Sequence, residues 1–114
     1  MSVKLSTRQV GDVSVVDVAG RITLGEGSSA LRDALREMVG QNHKKILLNL
    51  GDVSYIDSSG IGELVSGFTT VTNQGGQLKL LNLTKRVKDL LQITKLYTVF
   101  DVHDDEAGAV RSFA

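Results

Sequence analysis

The chain has 114 residues, 13 Lys+Arg against 13 Asp+Glu, 12 glycines, and no proline, cysteine or tryptophan. That length predicts one domain, residues 1–114, with a radius of gyration of about 13 Å, and the lack of cysteine excludes a disulfide framework, a thiolate zinc site and a cysteine nucleophile. A formal net charge of zero argues against direct attraction to nucleic acid or acidic lipid.

In chain order, Met1-Ser2-Val3-Lys4 lacks the apolar core of a secretory signal, which predicts a cytoplasmic protein. Membrane insertion is not expected either: the longest unbroken apolar run is Ile46-Leu47-Leu48, far short of the roughly 20 residues that span a bilayer. Val3, Leu5 and Thr7 precede the turn dipeptide Gly11-Asp12, and Val13, Val15, Val16 and Val18 come after it. This predicts an antiparallel hairpin whose second strand changes phase at Val15-Val16. Gly25-Glu26-Gly27-Ser28-Ser29 reads as a loop ending in N-caps. Leu31, Ala34, Leu35, Met38 and Val39 then recur at helical spacing, with Arg32, Asp33, Arg36 and Glu37 on the opposite face.

Lys45 to Leu50 reads as a nearly continuous apolar strand, covered on at least one face by helices. A second helix runs through Ile61, Leu64, Val65, Phe68 and Val71 and stops at Gly75-Gly76. Leu78 to Leu83 is the next strand, and Thr84 caps a third helix carrying Val87, Leu90 and Leu91. Tyr97 to Val102 is the last strand and Asp104 to Phe113 the last helix. The order β-β-α-β-α-β-α-β-α predicts a single α/β domain: a mixed, mostly parallel five-stranded sheet packed by about four helices. Ligands and partners of such folds meet the loops at the carboxyl ends of the strands, which points to the residues just beyond the strand that ends at Leu50.

Among them, Asp57-Ser58-Ser59-Gly60-Ile61-Gly62-Glu63 breaks local rules. Gly60, Gly62 and Gly67 fall inside or at the edge of a helix, where each non-capping glycine costs about 0.5–1 kcal/mol relative to alanine. Small residues on an exposed turn let another backbone or a bulky group come close, and they leave Ser58 unshielded. Ser58 has two compatible readings. It is an N-cap accepting a backbone N–H, or a phosphoacceptor whose phosphate gains from the helix dipole and places about −1.5 to −2 of charge on a docking surface.

Asp57-Ser58-Ser59-Gly60-Ile61-Gly62 resembles the Asp-Ser-(Ser/Thr)-Gly-(Leu/Ile)-Gly signature of STAS domains, specifically bacterial anti-sigma factor antagonists of the sporulation and stress-response type. The likeness extends to Ile46-Leu47-Leu48-Asn49-Leu50, to Gly75-Gly76-Gln77-Leu78-Lys79-Leu80, and to Val87, Leu90 and Leu91. The resemblance implies that Ser58 is the phosphorylated residue and that Asp57, Ser58, Ser59, Gly60, Ile61 and Gly62, with Arg21 and Thr23, meet the partner. It implies a partner that is both anti-sigma factor and serine protein kinase, and a metal-dependent serine phosphatase that reverses the modification. The unmodified protein would hold the anti-sigma factor and free a sigma factor. A STAS scaffold, in a stress-sensing complex or as an accessory subunit of a membrane transporter, is the alternative. One loop departs from the pattern: Gly20-Arg21-Ile22-Thr23 stands where the family commonly has Gly-x-Leu-Asp.

Enzyme signatures are missing. No Gly-x-Ser-x-Gly elbow, Walker A loop or dinucleotide fingerprint occurs, so no catalytic residue, cofactor or metal is assigned. His43 and His103 are distant in sequence, and His103-Asp104-Asp105-Glu106 reads as a solvated acidic turn. Lys85, Arg86 and Lys88 oppose the dipole of the third helix and read as a solvated face rather than an acidic-partner patch.

Overall fold

The computed structural model describes residues 3–113; Met1 and Ser2, half of the segment expected to carry no leader, lie outside them. The hairpin joins β1 (Val3–Val10) to β2 (Val13–Ile22). After it come α1 (Glu26–Gly40), β3 (Lys45–Ile56), α2 (Ser58–Asn73), β4 (Gln77–Leu81), α3 (Lys85–Ile93), β5 (Val102–His103) and α4 (Glu106–Ser112). The sheet has the order β1-β2-β3-β4-β5. Only β1 and β2 are antiparallel; the β2–β3, β3–β4 and β4–β5 pairs are parallel. The radius of gyration is 12.7 Å.

The phase change in β2 has a simple cause. Val16, Val18 and Ile22 pack into the larger core with Leu31, Leu35, Leu64 and Leu91, while Val13 and Val15 face a second cluster with Leu47, Leu81, Ala109 and Phe113. Both faces of the central strands are covered, α1 to α3 on one side and α4 on the other. Strands buried on both faces read as continuous apolar runs rather than alternations.

Several boundaries differ from the sequence reading: β4 stops at Leu81 rather than Leu83 and α4 is trimmed to Glu106–Ser112, and three differences are larger. Glu26 to Ser29 belong to α1, and Gly25 (φ 100°) precedes it with no side-chain cap. Gly27 lies so close to the carbonyl of Arg21 that an added Cβ would sit 2.5 Å from that oxygen. β3 runs past Leu50 to Ile56 because β2 keeps pairing with it, through register shifts that bring Arg21 beside Tyr55 and Ile22 beside Ile56. β4 partners β3 only as far as Asn49. Finally, Tyr97 to Asp101 are not strand. Phe100 is buried there and meets Phe68 edge-on, with ring centroids 5.5 Å apart, so that apolar pattern reflects packing rather than sheet pairing.

Candidate functional site

β2 and β3 end side by side at Ile22 and Ile56, both fully buried. The backbone N–H of Asp57 donates to the carbonyl of Ile22 at 3.3 Å, which fixes where α2 begins. Asp57, not Ser58, is the N-cap: its Oδ1 accepts from the Gly60 N–H at 2.9 Å. Its Oδ2 accepts from the Leu24 N–H at 3.1 Å, so one carboxylate ties the loop after β2 to the start of α2. Burial pushes this carboxyl up, but hydrogen bonds from the backbone N–H groups of Gly60, Leu24 and Ser59 outweigh it and hold the group below the ordinary Asp value.

The capping reading of Ser58 is therefore corrected. Ser58 is the first residue of α2, exposed, and its hydroxyl has no hydrogen-bond partner among the described residues. Ser59 turns inward, its Oγ 2.9 Å from the Oγ of buried Ser28 on α1. Ile61 is in the core.

The glycines divide. A Cβ at Gly60 would sit 2.4 Å from the carbonyl oxygen of Ile22, and one at Gly67 would sit 2.4 Å from Leu35 Cδ1. Both serve internal packing, not an outside partner. Gly62 alone of the three is exposed, with open space where a side chain would go. Toward solvent, the α2 face is Ser58, Gly62, Ser66 and Thr69, small and uncharged.

Arg21, in β2 beside Tyr55 of β3, and Thr23, just after β2, flank Ile22, whose carbonyl holds the start of α2. The Thr23 carbonyl accepts from the Ser28 N–H at 3.0 Å. The Arg21 guanidinium lies over the Tyr55 ring, 4.7 Å from its centroid. Three neighbours are invisible to sequence reasoning. Leu24 is 80% exposed although its N–H is pinned by Asp57. Tyr55 carries a second guanidinium, that of Arg86, at 4.2 Å. The sequence reading leaves Arg86 on a solvated face, and no local periodicity could link it to Tyr55.

The remaining candidates have structural partners. His43 Nδ1 lies 2.7 Å from Ser14 Oγ, and His103 Nε2 lies 3.1 Å from Asp101. The acidic stretch near His103 is not merely a solvated turn: Asp105 caps α4 by accepting from Gly108 N–H at 2.8 Å, and Glu106 binds Arg8 at 2.7 Å. Among the described residues no group of three or more His, Asp or Glu is placed to hold a metal, and no helix is long and apolar enough to cross a membrane.

The model of the STAS domain family matches residues 4–109. The chain is 34% identical over 111 residues to the anti-sigma-B factor antagonist of Bacillus subtilis (strain 168), covering 97% of this chain and 100% of that protein. Among solved structures, an anti-sigma factor antagonist from Mycobacterium paratuberculosis superposes with a TM-score of 0.84 at 18% identity, covering 98% of this chain and 94% of that one. The Bacillus cell fate determinant SpoIIAA in its phosphorylated form superposes with a TM-score of 0.73 at 19% identity, covering 95% and 98%. The structural likenesses carry the fold.

Proposed function

The chain belongs to the STAS domain family, and we propose that within it this protein is an anti-sigma factor antagonist switched by phosphorylation of Ser58. In the unmodified state the small, uncharged face of α2 docks an anti-sigma factor that is also a serine kinase, and the sigma factor goes free. The kinase transfers the γ-phosphoryl group of its ATP to Ser58 Oγ, the antagonist lets go, and a metal-dependent serine phosphatase restores it.

The observation that carries this reading is the division of labour at the start of α2. Because Asp57 caps the helix, the Ser58 hydroxyl is exposed and uncommitted. Neither histidine is a hydrogen-bond partner of Ser58, so the base that activates the hydroxyl comes from the kinase; this chain is the substrate. A phosphate on the first helical residue gains from the positive end of α2, while adding about −1.5 to −2 of charge to a face that had none. A 100-fold loss of partner affinity takes only about 2.7 kcal/mol. Charge repulsion and desolvation at a contact built for small neutral groups supply that without refolding.

Incubation with the serine-kinase anti-sigma factors of the source organism and ATP, with peptide mass spectrometry of the product, tests the cycle. Phosphate on Ser58, absent in Ser58→Ala, is expected. An unmodified Ser58 in the presence of every such kinase would overturn the switch.

A further inference from the structure

α3 begins with Lys85 and Arg86, and Lys88 lies in the same turn, cations at the helix end where the dipole repels them. Lys85 finds relief in Asp89, 2.7 Å away. Arg86 does not. Its guanidinium stacks on Tyr55, the ring that Arg21 of β2 also covers. Each cation–ring contact is attractive but neutralises no charge. Neither guanidinium has an ion pair or hydrogen bond among the described residues. A guanidinium held over the ring keeps its fork of N–H donors, which suits carboxylates.

Two like charges on one ring, beside a third unfavourable charge from the helix end, are a local conflict of the kind that marks a functional surface. The place is also informative. Arg21 adjoins Ile22, whose carbonyl holds the Asp57 N–H, and Tyr55 lies three residues before Ser58. The outward face of α2 offers a partner shape but no charge, so the cations next to it are what a charged partner would meet.

We propose that Arg21, Tyr55 and Arg86 form a two-guanidinium clamp that receives carboxylates of the anti-sigma factor at the border of the Ser58 surface. The clamp rests on the functional reading above and specifies the partner: it presents an acidic patch beside the groove or loop that accepts α2. Tyr55 is a positioning residue that holds both guanidiniums ready, so that less side-chain freedom is lost on docking.

Titration calorimetry between the unphosphorylated chain and its kinase-type anti-sigma factor tests this. The double variant Arg21→Gln/Arg86→Gln is expected to lose at least about tenfold in affinity and to show a flatter salt dependence than the wild type. Arg86→Lys keeps the charge but loses the planar stack, and is expected to fall between. Arg86→Glu is expected to be rescued by reversing one acidic residue of the partner. Thermal melts check that the variants stay folded, and Tyr55→Leu gives a second route to a disordered clamp. A wild type that binds while the double variant binds equally well overturns the clamp and leaves the antagonist reading intact. A wild type that binds no kinase-type anti-sigma factor overturns both. Unchanged partner affinity with lost binding to anionic vesicles or to RNA would assign the guanidiniums to those occupants instead.

Discussion

Asp57 uses its two carboxylate oxygens on two different elements, and this explains why the serine beside it has nothing to do inside the fold. Asp57→Ala removes the cap on Gly60 and the acceptor of the Leu24 N–H, and is expected to cost about 1–2 kcal/mol in chemical denaturation. The glycines allow a sharper comparison. Gly60→Ala pushes a methyl group against the backbone oxygen of Ile22, which cannot swing aside as a side chain would, so a loss of about 1–3 kcal/mol is expected. Gly62→Ala meets open space in a helix and is expected to gain about 0.5–1 kcal/mol. Equal effects of the two substitutions in urea melts would contradict the division. Gly62→Trp keeps the fold but blocks docking; unchanged affinity would remove Gly62 from the partner face. The motif is legible from Asp57 to Gly62 because its residue types are unusual for a helix. Which glycine faces inward is not, because that depends on Ile22, far away in sequence.

At the scale of elements, helix periodicity locates α1, α2 and α3 well, since each presents one apolar stripe to one face of the sheet. Strand ends are less legible. β3 continues to Ile56 only because β2 accompanies it, and β5 shrinks to two residues because Phe100 leaves the strand line for the core. Charges that no local pattern reveals add to the attachment of α4, whose Ala109 and Phe113 pack in the second cluster. Arg8 of β1 binds both Asp17, at 2.7 Å, and Glu106, at 2.7 Å. Its hydrogen bonds hold the Asp17 and Glu106 carboxyls below their ordinary values, against the opposing effect of burial. A native pKa below the unfolded one gives stability that is fully present above the ordinary carboxylate range near pH 4 and is lost as pH falls through the native value. Hydrogen-exchange protection of the α4 amides, corrected for intrinsic chemistry, is therefore expected to fall between pH 6 and pH 3 more than that of α2. In Arg8→Gln it should be lower than in the wild type at pH 6 and depend less on pH. Protection of α4 that ignores pH would sink the account.

For the whole molecule, 13 cations balance 13 anions, but the balance is spatial only in part. The Lys79–Lys95 stretch carries five cations and one anion, and Asp101–Glu106 carries four anions. Across the sheet Lys79 meets Asp101 at 3.0 Å and Arg8 meets Glu106, which cancels part of each block. The end that bears Ser58 keeps its neutral helix face and the guanidiniums of Arg21 and Arg86, which have no ion pair among the described residues. A phosphate there changes a chain of zero net charge by about −1.5 to −2, at the surface rather than in the core, so it should act on association and spare the fold. Ser58→Glu separates the two. An exposed first-turn acid is expected to leave stability within about 0.5 kcal/mol of wild type, with any change favourable through the helix dipole. The same substitution is expected to weaken the anti-sigma factor complex at least about tenfold, approaching the effect of phosphate as far as one unit of charge allows. Ser58→Gln, equal in size but uncharged, supplies the control. If glutamine weakens the complex as much as glutamate does, exclusion is steric and the charge argument fails. If glutamate binds like serine, Ser58 does not lie in the interface.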